Sequence, residues 1–238
     1  MNVVRRSLLE GAGGAEGVVV VIDVLRAFSS SALMFHYGIE ELVLVRTPEE
    51  ALALRRADAA WIVAGEVKGV KVDGFDIGNS PSEIIELGER FFRGRRVVLR
   101  SSAGTQGVAG AIVTADEVVL GSFMTAAATA RYLRRRCGDT VPVTLLAMGL
   151  QGHSRSVEDE GCADYLQHLL AGTPYDHLAT VWQCLTDPFI AKSLRGERPH
   201  MPREDVILVL QRDLLDFCLV ARREGERVVV GATRDLHG

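Results

Sequence analysis

Four short segments of this 238-residue chain gather the residue types that hold cations and anions. The first runs Asp23-Val24-Leu25-Arg26-Ala27-Phe28 and continues into Ser29, Ser30 and Ser31. A carboxylate at such a place suits a hard cation, which takes oxygen ligands. An arginine three residues on offers paired N–H donors to phosphate or carboxylate. The plain structural alternative is that Asp23 caps the next helix and pairs with Arg26. The second segment extends from Gly65-Glu66-Val67-Lys68 to Gly74-Phe75-Asp76-Ile77-Gly78-Asn79-Ser80-Pro81. It is too long for a simple connection, and long irregular loops in compact domains are usually functional or disordered. It feeds a well-capped helix start, which argues for order and offers free N–H groups to an anion. The third, Arg100-Ser101-Ser102-Ala103-Gly104-Thr105, has the hydroxyls and small residues of an anion cradle. The fourth, from Met148 through His153, Ser154 and Arg155 to Glu158-Asp159-Glu160, places three acids where a helix begins. There they stabilise the helix dipole without any chemistry, or else Glu158 and Asp159 serve as metal ligands or base while His153 or Arg155 faces an anion.

Each segment follows a short apolar, β-rich run: Gly17 to Ile22, Trp61 to Ala64, Arg96 to Leu99 and Val141 to Ala147. Further runs are Glu41 to Arg46, Glu117 to Leu120 and Val228 to Val230. Their apolar residues run on rather than alternate, the pattern of strands buried on both faces. Helices are expected between them. Thr47-Pro48-Glu49-Glu50 and Ser80-Pro81-Ser82-Glu83 both read as an N-cap, a proline at the first helical position and a capping-box glutamate. This alternation predicts a layered α/β chain with a largely parallel or mixed sheet. Ligands of such sheets bind beyond the carboxyl ends of the strands, where the four segments fall. The glycine-rich stretch Glu10 to Gly17 reads as a mobile loop in preference to a close approach to ligand. Tyr175 to Arg203 reads as a subdomain boundary or a helical excursion, and 205–221 is ambiguous between helix and strand. Residues 1–238 are expected to form one domain, with 121–140 the place to divide it if there are two subdomains.

Several function classes are disfavoured. The formal net charge of −4, from 27 basic and 31 acidic residues, provides no global field for nucleic acid. The densest basic run, Arg131 to Arg136, reads as a solvated helix face. No apolar run reaches the roughly 18 residues of a membrane span, and no h-region with a cleavage site opens the chain. Cys137, Cys162, Cys184 and Cys218 show no C-x-x-C spacing, so reduced thiols in the cytoplasm are expected. Neither the Walker spacing nor G-x-G-x-x-G occurs around Gly104, Gly107 and Gly110. Cys162 is followed five residues later by Gln167 and then His168, so a cysteinyl-phosphatase loop is absent; this cysteine reads as a packed one.

Together, D-V-L-R-A at Asp23, G-F-D-I-G-N-S-P at Gly74, S-S-A-G-T at Ser101 and E-D-x-x-C-A at Glu158 resemble the 2-phosphosulfolactate phosphatase (ComB) family, in the family's order. The resemblance runs from about residue 18 to 165 and is faint beyond, around Asp216 to Leu219. It implies an α/β/α architecture, a homodimer, and a Mg²⁺-dependent phosphatase that converts 2-phospho-3-sulfolactate to 3-sulfolactate in coenzyme M type biosynthesis. The alternatives are a phosphatase for another small phosphorylated acid and a non-catalytic module for an anionic metabolite. On the matching positions, Asp23, Arg26, Glu66, Glu158 and Asp159 become the catalytic set, and Asp23, Asp76, Glu158 and Asp159 the metal set. Asn79, Ser80, Ser101, Ser102, Gly104 and Thr105 become the substrate-binding set, joined by Lys68, His153 and Arg155 from the reading of the residues themselves. Attack by water is expected over a phospho-aspartyl route through Asp23, because D-V-L lacks the second aspartate of the D-x-D phosphatases. The chain departs from the family's usual pattern at Val67, where an arginine is usual and Lys68 is the substitute at hand. It departs again at Ala103, in place of asparagine, and at Phe28, in place of threonine.

Overall fold

The computed structural model describes residues 1–138 and 140–233. In chain order the strands are β1 (Val3–Ser7), β2 (Val18–Ile22), β3 (Glu41–Val45), β4 (Ile62–Val67), β5 (Val70–Lys71), β6 (Arg96–Arg100), β7 (Glu117–Gly121), β8 (Val143–Ala147), β9 (Cys218–Glu224) and β10 (Arg227–Thr233). The helices are α1 (Leu8–Ala12), α2 (Ala27–His36), α3 (Pro48–Ala57), α4 (Pro81–Phe92), α5 (Gly104–Ala111), α6 (Ala126–Cys137), α7 (Val157–Ala171), α8 (His177–Thr186), α9 (Pro188–Leu194) and α10 (Arg203–Val209). The chain is thus α/β, with one mixed sheet in the order β1-β8-β2-β7-β9-β10-β3-β6-β4-β5.

Two parallel blocks, β1-β8-β2-β7 and β3-β6-β4, are joined by the antiparallel hairpin β9-β10. Because β7–β9, β9–β10 and β10–β3 all pair antiparallel, the two blocks run in opposite senses. In a flat sheet their carboxyl ends would point apart. Five steps separate β2 from β6, and at about 20–25° of twist per step they sum to roughly 100–125°. Residues that follow β2 and β6, Asp23 and Ser102, and Glu66 of β4 line one cleft.

Burial explains the strand assignments. All five residues of β2 are buried, and they divide by parity. Val19 and Val21 enter one core with residues of α2, α4 and α5. Val18, Val20 and Ile22 enter the opposite core with α6 and α7. The second block shares the first core through Leu42, Leu44, Val97 and Leu99, and Val43, Val63 and Val98 pack beneath α3 on the other face. The result is three layers, α/β/α. The expected strands are all present, with ends within three residues. β1 was not foreseen because it is an edge strand of alternating burial, with Arg5 and Arg6 breaking any apolar run. The ambiguous stretch 205–221 resolves into α10 and the start of β9.

Both predicted helix starts form. Thr47 Oγ1 accepts from Glu50 N at 3.2 Å and Ser80 Oγ from Glu83 N at 3.4 Å. The glutamates reach back past the cap, to Arg46 N and Gly78 N. Glu10 to Gly17 is partly helical, since α1 extends to Ala12. Its close backbone approach is to protein: a Cβ on Gly17 would sit 2.2 Å from Pro142 O. Residues 121–140 hold the end of β7, a turn of 3-10 helix (Phe123–Thr125) and α6. Tyr175 to Arg203 is the helical excursion, carrying α8, α9 and the start of α10. Cys162 is fully buried in the second core. Among the described residues no helix is long and apolar enough to cross a membrane.

Candidate active site

Asp23 leaves the end of β2 and is almost fully buried. Its Oδ1 accepts from Ala27 N at 3.1 Å, capping α2, and its Oδ2 accepts from Gly104 N at 2.7 Å. The second bond ties the first parallel block to the second. It demands a glycine, because a Cβ at position 104 would lie 2.6 Å from Asp23 Oδ2 and 2.9 Å from Phe28 Cζ. Glu66 arrives from β4, just after Gly65, whose φ of +134° lets the backbone pass Arg100 O closely. Glu66 Oε1 accepts from Ser102 N at 2.6 Å, and Oε2 accepts from Ser102 Oγ at 3.0 Å and from Gly69 N. Ser102 Oγ in turn accepts from Lys68 N at 2.9 Å.

The loop before α5 was expected to cradle an anion, and it does, but the anions are the protein's own. Ser102 N and Gly104 N serve Glu66 and Asp23, while Ser101 N and Thr105 N bond each other's hydroxyls at 3.0 Å. Those four amides are committed before any ligand arrives.

The three consecutive acids that open α7 have three different surroundings. Glu158 faces the cleft, buried. Asp159 clamps two loops: Oδ1 accepts from Val24 N and Oδ2 from Gly149 N, both at 2.7 Å. Glu160 turns to the sheet edge, where its carboxylate meets Arg5 Nη2 at 2.7 Å and Ser7 Oγ at 2.8 Å. Burial pushes Glu158 up to about 7, with the Asp23 and Asp187 charges adding to the shift. Asp23 is pushed up to about 6, first by burial and then by the Glu66 charge, against the Ala27 and Gly104 amides. Asp159 is raised by burial and by Glu158 and Asp23, with the Val24 and Gly149 amides opposing.

Arg26, joined to Leu25 by a cis peptide bond, is buried. Its Nη1 donates to His200 O at 2.7 Å and to Asp205 Oδ2 at 3.0 Å, and its Nη2 to Gly69 O at 3.0 Å. Three of its five donors therefore bolt protein segments together. Asp205, fully buried in α10, also takes Ser80 Oγ at 2.7 Å and Ser82 N at 2.9 Å on its Oδ1. Ser80 thus belongs to this network.

The cleft has an empty volume of about 840 Å³ with its open mouth included. It brings together Asp23, Arg26, Glu66, Lys68, Asn79, Ser102, Glu158 and Arg155 of the sequence-based set. Asn79 Oδ1 is a buried acceptor with no hydrogen-bond partner in this wall. Asp76 stands apart: its carboxylate accepts from Val63 N at 2.7 Å, pairs with Arg55, and does not line the cleft. His153 is exposed outside it, and Ser101 and Thr105 are buried behind it. Sequence reasoning missed the opposite wall, Asp187, Phe189, Arg198, His200 and Met201, which comes from the segment around α9. The only advance signal was the proline-bounded irregularity of that stretch.

Among the described residues no three His, Cys, Asp or Glu side chains form a ready metal cluster. The donors nevertheless suit Mg²⁺, which keeps several waters and needs only one or two carboxylates plus ligand oxygens. Asp23 and Glu158 are desolvated carboxylates, the Asp23 charge raising the proton affinity of Glu158, and the orphaned Asn79 Oδ1 adds a neutral oxygen.

A family model for 2-phosphosulpholactate phosphatase matches residues 5–219. The chain belongs to this family. Membership makes it a phosphoric monoester hydrolase. A Bacillus subtilis protein named "Probable 2-phosphosulfolactate phosphatase" is 26% identical over 208 residues, 87% of this chain and 88% of that one. A Deinococcus radiodurans protein of the same name is 42% identical over 115 residues, about half of each chain (48% and 47%). A Carboxydothermus hydrogenoformans protein, also so named, is 36% identical over 153 residues, 64% of this chain and 60% of that one. The family departures fall on or beside the cleft. Val67 points out at the end of β4, Lys68 follows at φ +53° and lines the cleft, Ala103 lines it too, and Phe28 is buried against Gly104.

Proposed function

We propose that this protein is a Mg²⁺-dependent phosphatase acting on 2-phospho-3-sulfolactate, giving 3-sulfolactate and phosphate in coenzyme M type biosynthesis. The observation that carries this reading is the meeting of buried Asp23, Glu66 and Glu158, from three distant segments, in one cleft that is also lined by Lys68, Arg155 and Arg198. The names of the relatives support the substrate.

Phosphate, sulfonate and carboxylate together carry about four negative charges near neutral pH. Facing carboxylates would repel such a ligand, so the acid-lined wall makes sense only with a cation between. Asp23 and Glu158 are the residues that would hold Mg²⁺, with Asn79 Oδ1 and Glu66 beside them. When bound, the ion supplies Lewis-acid polarisation of the phosphoryl oxygens. The chain's own contribution is orientation and proton handling. The amides of Ala27 and Gly104 fix the Asp23 carboxylate, and those of Ser102 and Gly69 fix Glu66. Glu158, with its proton affinity raised toward neutrality, is suited to take a proton from an attacking water or return one to the leaving oxygen. The P–O ester bond breaks and the alkoxide leaves as the hydroxyl of sulfolactate.

Phosphate release from a panel of phosphorylated hydroxy acids, with EDTA and with Mg²⁺ restored, tests this. Turnover of phosphosulfolactate that EDTA abolishes and Mg²⁺ restores is the expected result. Turnover only of other esters would reassign the substrate, and turnover indifferent to EDTA would remove the metal. Ligand-induced thermal stabilisation without turnover would favour a binding module. The homodimer implied by the resemblance and the cytoplasmic location expected from the cysteine usage belong to the same reading, and light scattering checks the first.

A further inference from the structure

We propose that Arg198, on the connection between α9 and α10, is the receptor for the non-esterified anion of the substrate, making that connection the specificity element of the cleft. The anion's identity rests on the phosphatase reading above; the receptor itself rests on geometry.

The usual receptors are already committed. The amides of the Ser101–Thr105 loop hold Asp23 and Glu66, and Arg26 spends three donors on His200 O, Asp205 and Gly69 O. Arg155 lines the cleft but leans toward Glu160, 3.7 Å away. Arg198 is differently placed. Its guanidinium carbon lies 3.8 Å from the centre of the Phe189 ring, a stack that fixes the plane of the group in the cleft wall. The platform is firm, because Phe189 N donates to Asp187 Oδ1 at 2.8 Å in the first turn of α9. Arg198 Nε is buried with no hydrogen-bond partner. A buried charged donor left unmatched is costly, and an anion entering the cleft would match it. The neighbouring Glu197 carries its close ion pair with Arg195 Nε, at 2.5 Å.

The two walls then orient the ligand. The phosphoryl group faces Asp23, Glu66 and Glu158, the carboxylates that would hold the divalent ion, and the far anion lies by Arg198, two parallel N–H···O bonds being the preferred geometry for such an anion.

The test compares wild type with Arg198→Met, which keeps the apolar stem, and with Arg198→Lys, which keeps charge but loses the plane. Three esters are used: 2-phospho-3-sulfolactate, 2-phospholactate (no sulfonate) and 2-(phosphooxy)ethanesulfonate (no carboxylate). If Arg198 reads the sulfonate, Arg198→Met lowers kcat/KM about 10- to 100-fold on the two sulfonates, mainly through KM, and spares phospholactate. If it reads the carboxylate, the loss falls instead on the two carboxylates. Arg198→Lys recovers part of the loss in either case. Equal loss on all three esters, or no loss on any, overturns the proposal; an unchanged Tm separates selective loss from damage to the fold. Should wild type turn over none of the esters, the phosphatase reading fails on its own. The receptor is then tested with millimolar 3-sulfolactate, which should raise the Tm of wild type and not of Arg198→Met; equal rises, or none, overturn it.

Discussion

The acidic wall of the cleft and its cations are held by opposite means. On the acidic wall each short side chain is gripped by backbone: Asp23 by Ala27 N and Gly104 N, Glu66 by Ser102 N and Gly69 N, and Asp159 behind them by Val24 N and Gly149 N. The cations of the cleft, Lys68 and Arg155 close in sequence to Glu66 and Glu158 and Arg198 from the opposite wall, are long, partly or fully exposed side chains that share no such grip. A carboxylate that also closes a loop cannot change without moving the loop, whereas a cation on a flexible stem can be exchanged at little cost to the fold. Chemistry is therefore anchored on the acidic wall and preference is adjustable through the cations.

The sharpest way to break this contrast is Asp23→Asn. The variant loses the charge that would hold a cation and turns one accepting oxygen into a donor beside Gly104 N. We expect kcat to fall roughly 10²- to 10³-fold with about 1–3 kcal/mol lost in stability, read by steady-state kinetics and urea titration. Full activity would remove Asp23 from the site. Next comes Asp205→Ala, on neither wall. Arg26 and Asp205 form an ion pair with both side chains almost inaccessible. Removing one partner strands the other and costs about 3–5 kcal/mol. A loss under 1 kcal/mol would show that Arg26 finds another partner.

How much of this was legible beforehand follows the same divide. Apart from β1, the strands of both parallel blocks announced themselves as unbroken apolar runs, and the two S/T-P-x-E caps marked α3 and α4. The acidic wall was legible because backbone-gripped carboxylates sit at strand ends, where motifs concentrate. Asp205 and Arg198 left no mark, since a buried ion pair on a short helix and a stacked arginine have no local pattern; they exist only through contacts to Arg26 and Phe189. The reversal of the two blocks was equally invisible, because it is set by the late hairpin β9-β10, whose first strand ends in the charged residues Arg222, Arg223 and Glu224. The segment Gly74 to Pro81 misled in part: its regularity serves Asn79 in the cleft but also Asp76, which braces β4 instead.

The third expectation concerns protons. Asp23 and Glu158 are raised from 3.8 and 4.5 to about 6 and about 7 in the metal-free protein. Carboxylates raised in the folded state contribute stability that is full below about pH 4 and lost as pH rises to about 7. A divalent cation needs them ionised, so its affinity rises with pH over the same window, by about tenfold per pH unit for each proton released. Thermal melts with and without Mg²⁺ from pH 5 to 8 should show the Mg²⁺ increment growing with pH. An increment independent of pH would detach the ion from these two groups.

The smallest expected effect is the most discriminating for the acidic wall. Asp76 lies in the most distinctive motif of the chain, yet its carboxylate holds Val63 N and Arg55 away from the cleft. Asp76→Asn keeps one accepting oxygen for Val63 N and weakens a part-exposed ion pair. It should therefore cost about 1 kcal/mol or less and change kcat and KM by no more than about twofold, since a shift below 0.5 kcal/mol is all that an intact β4 would transmit. A tenfold loss of kcat at unchanged Tm would mean that Asp76 reaches the reacting centre in the liganded protein, and the acidic wall would then extend beyond β4.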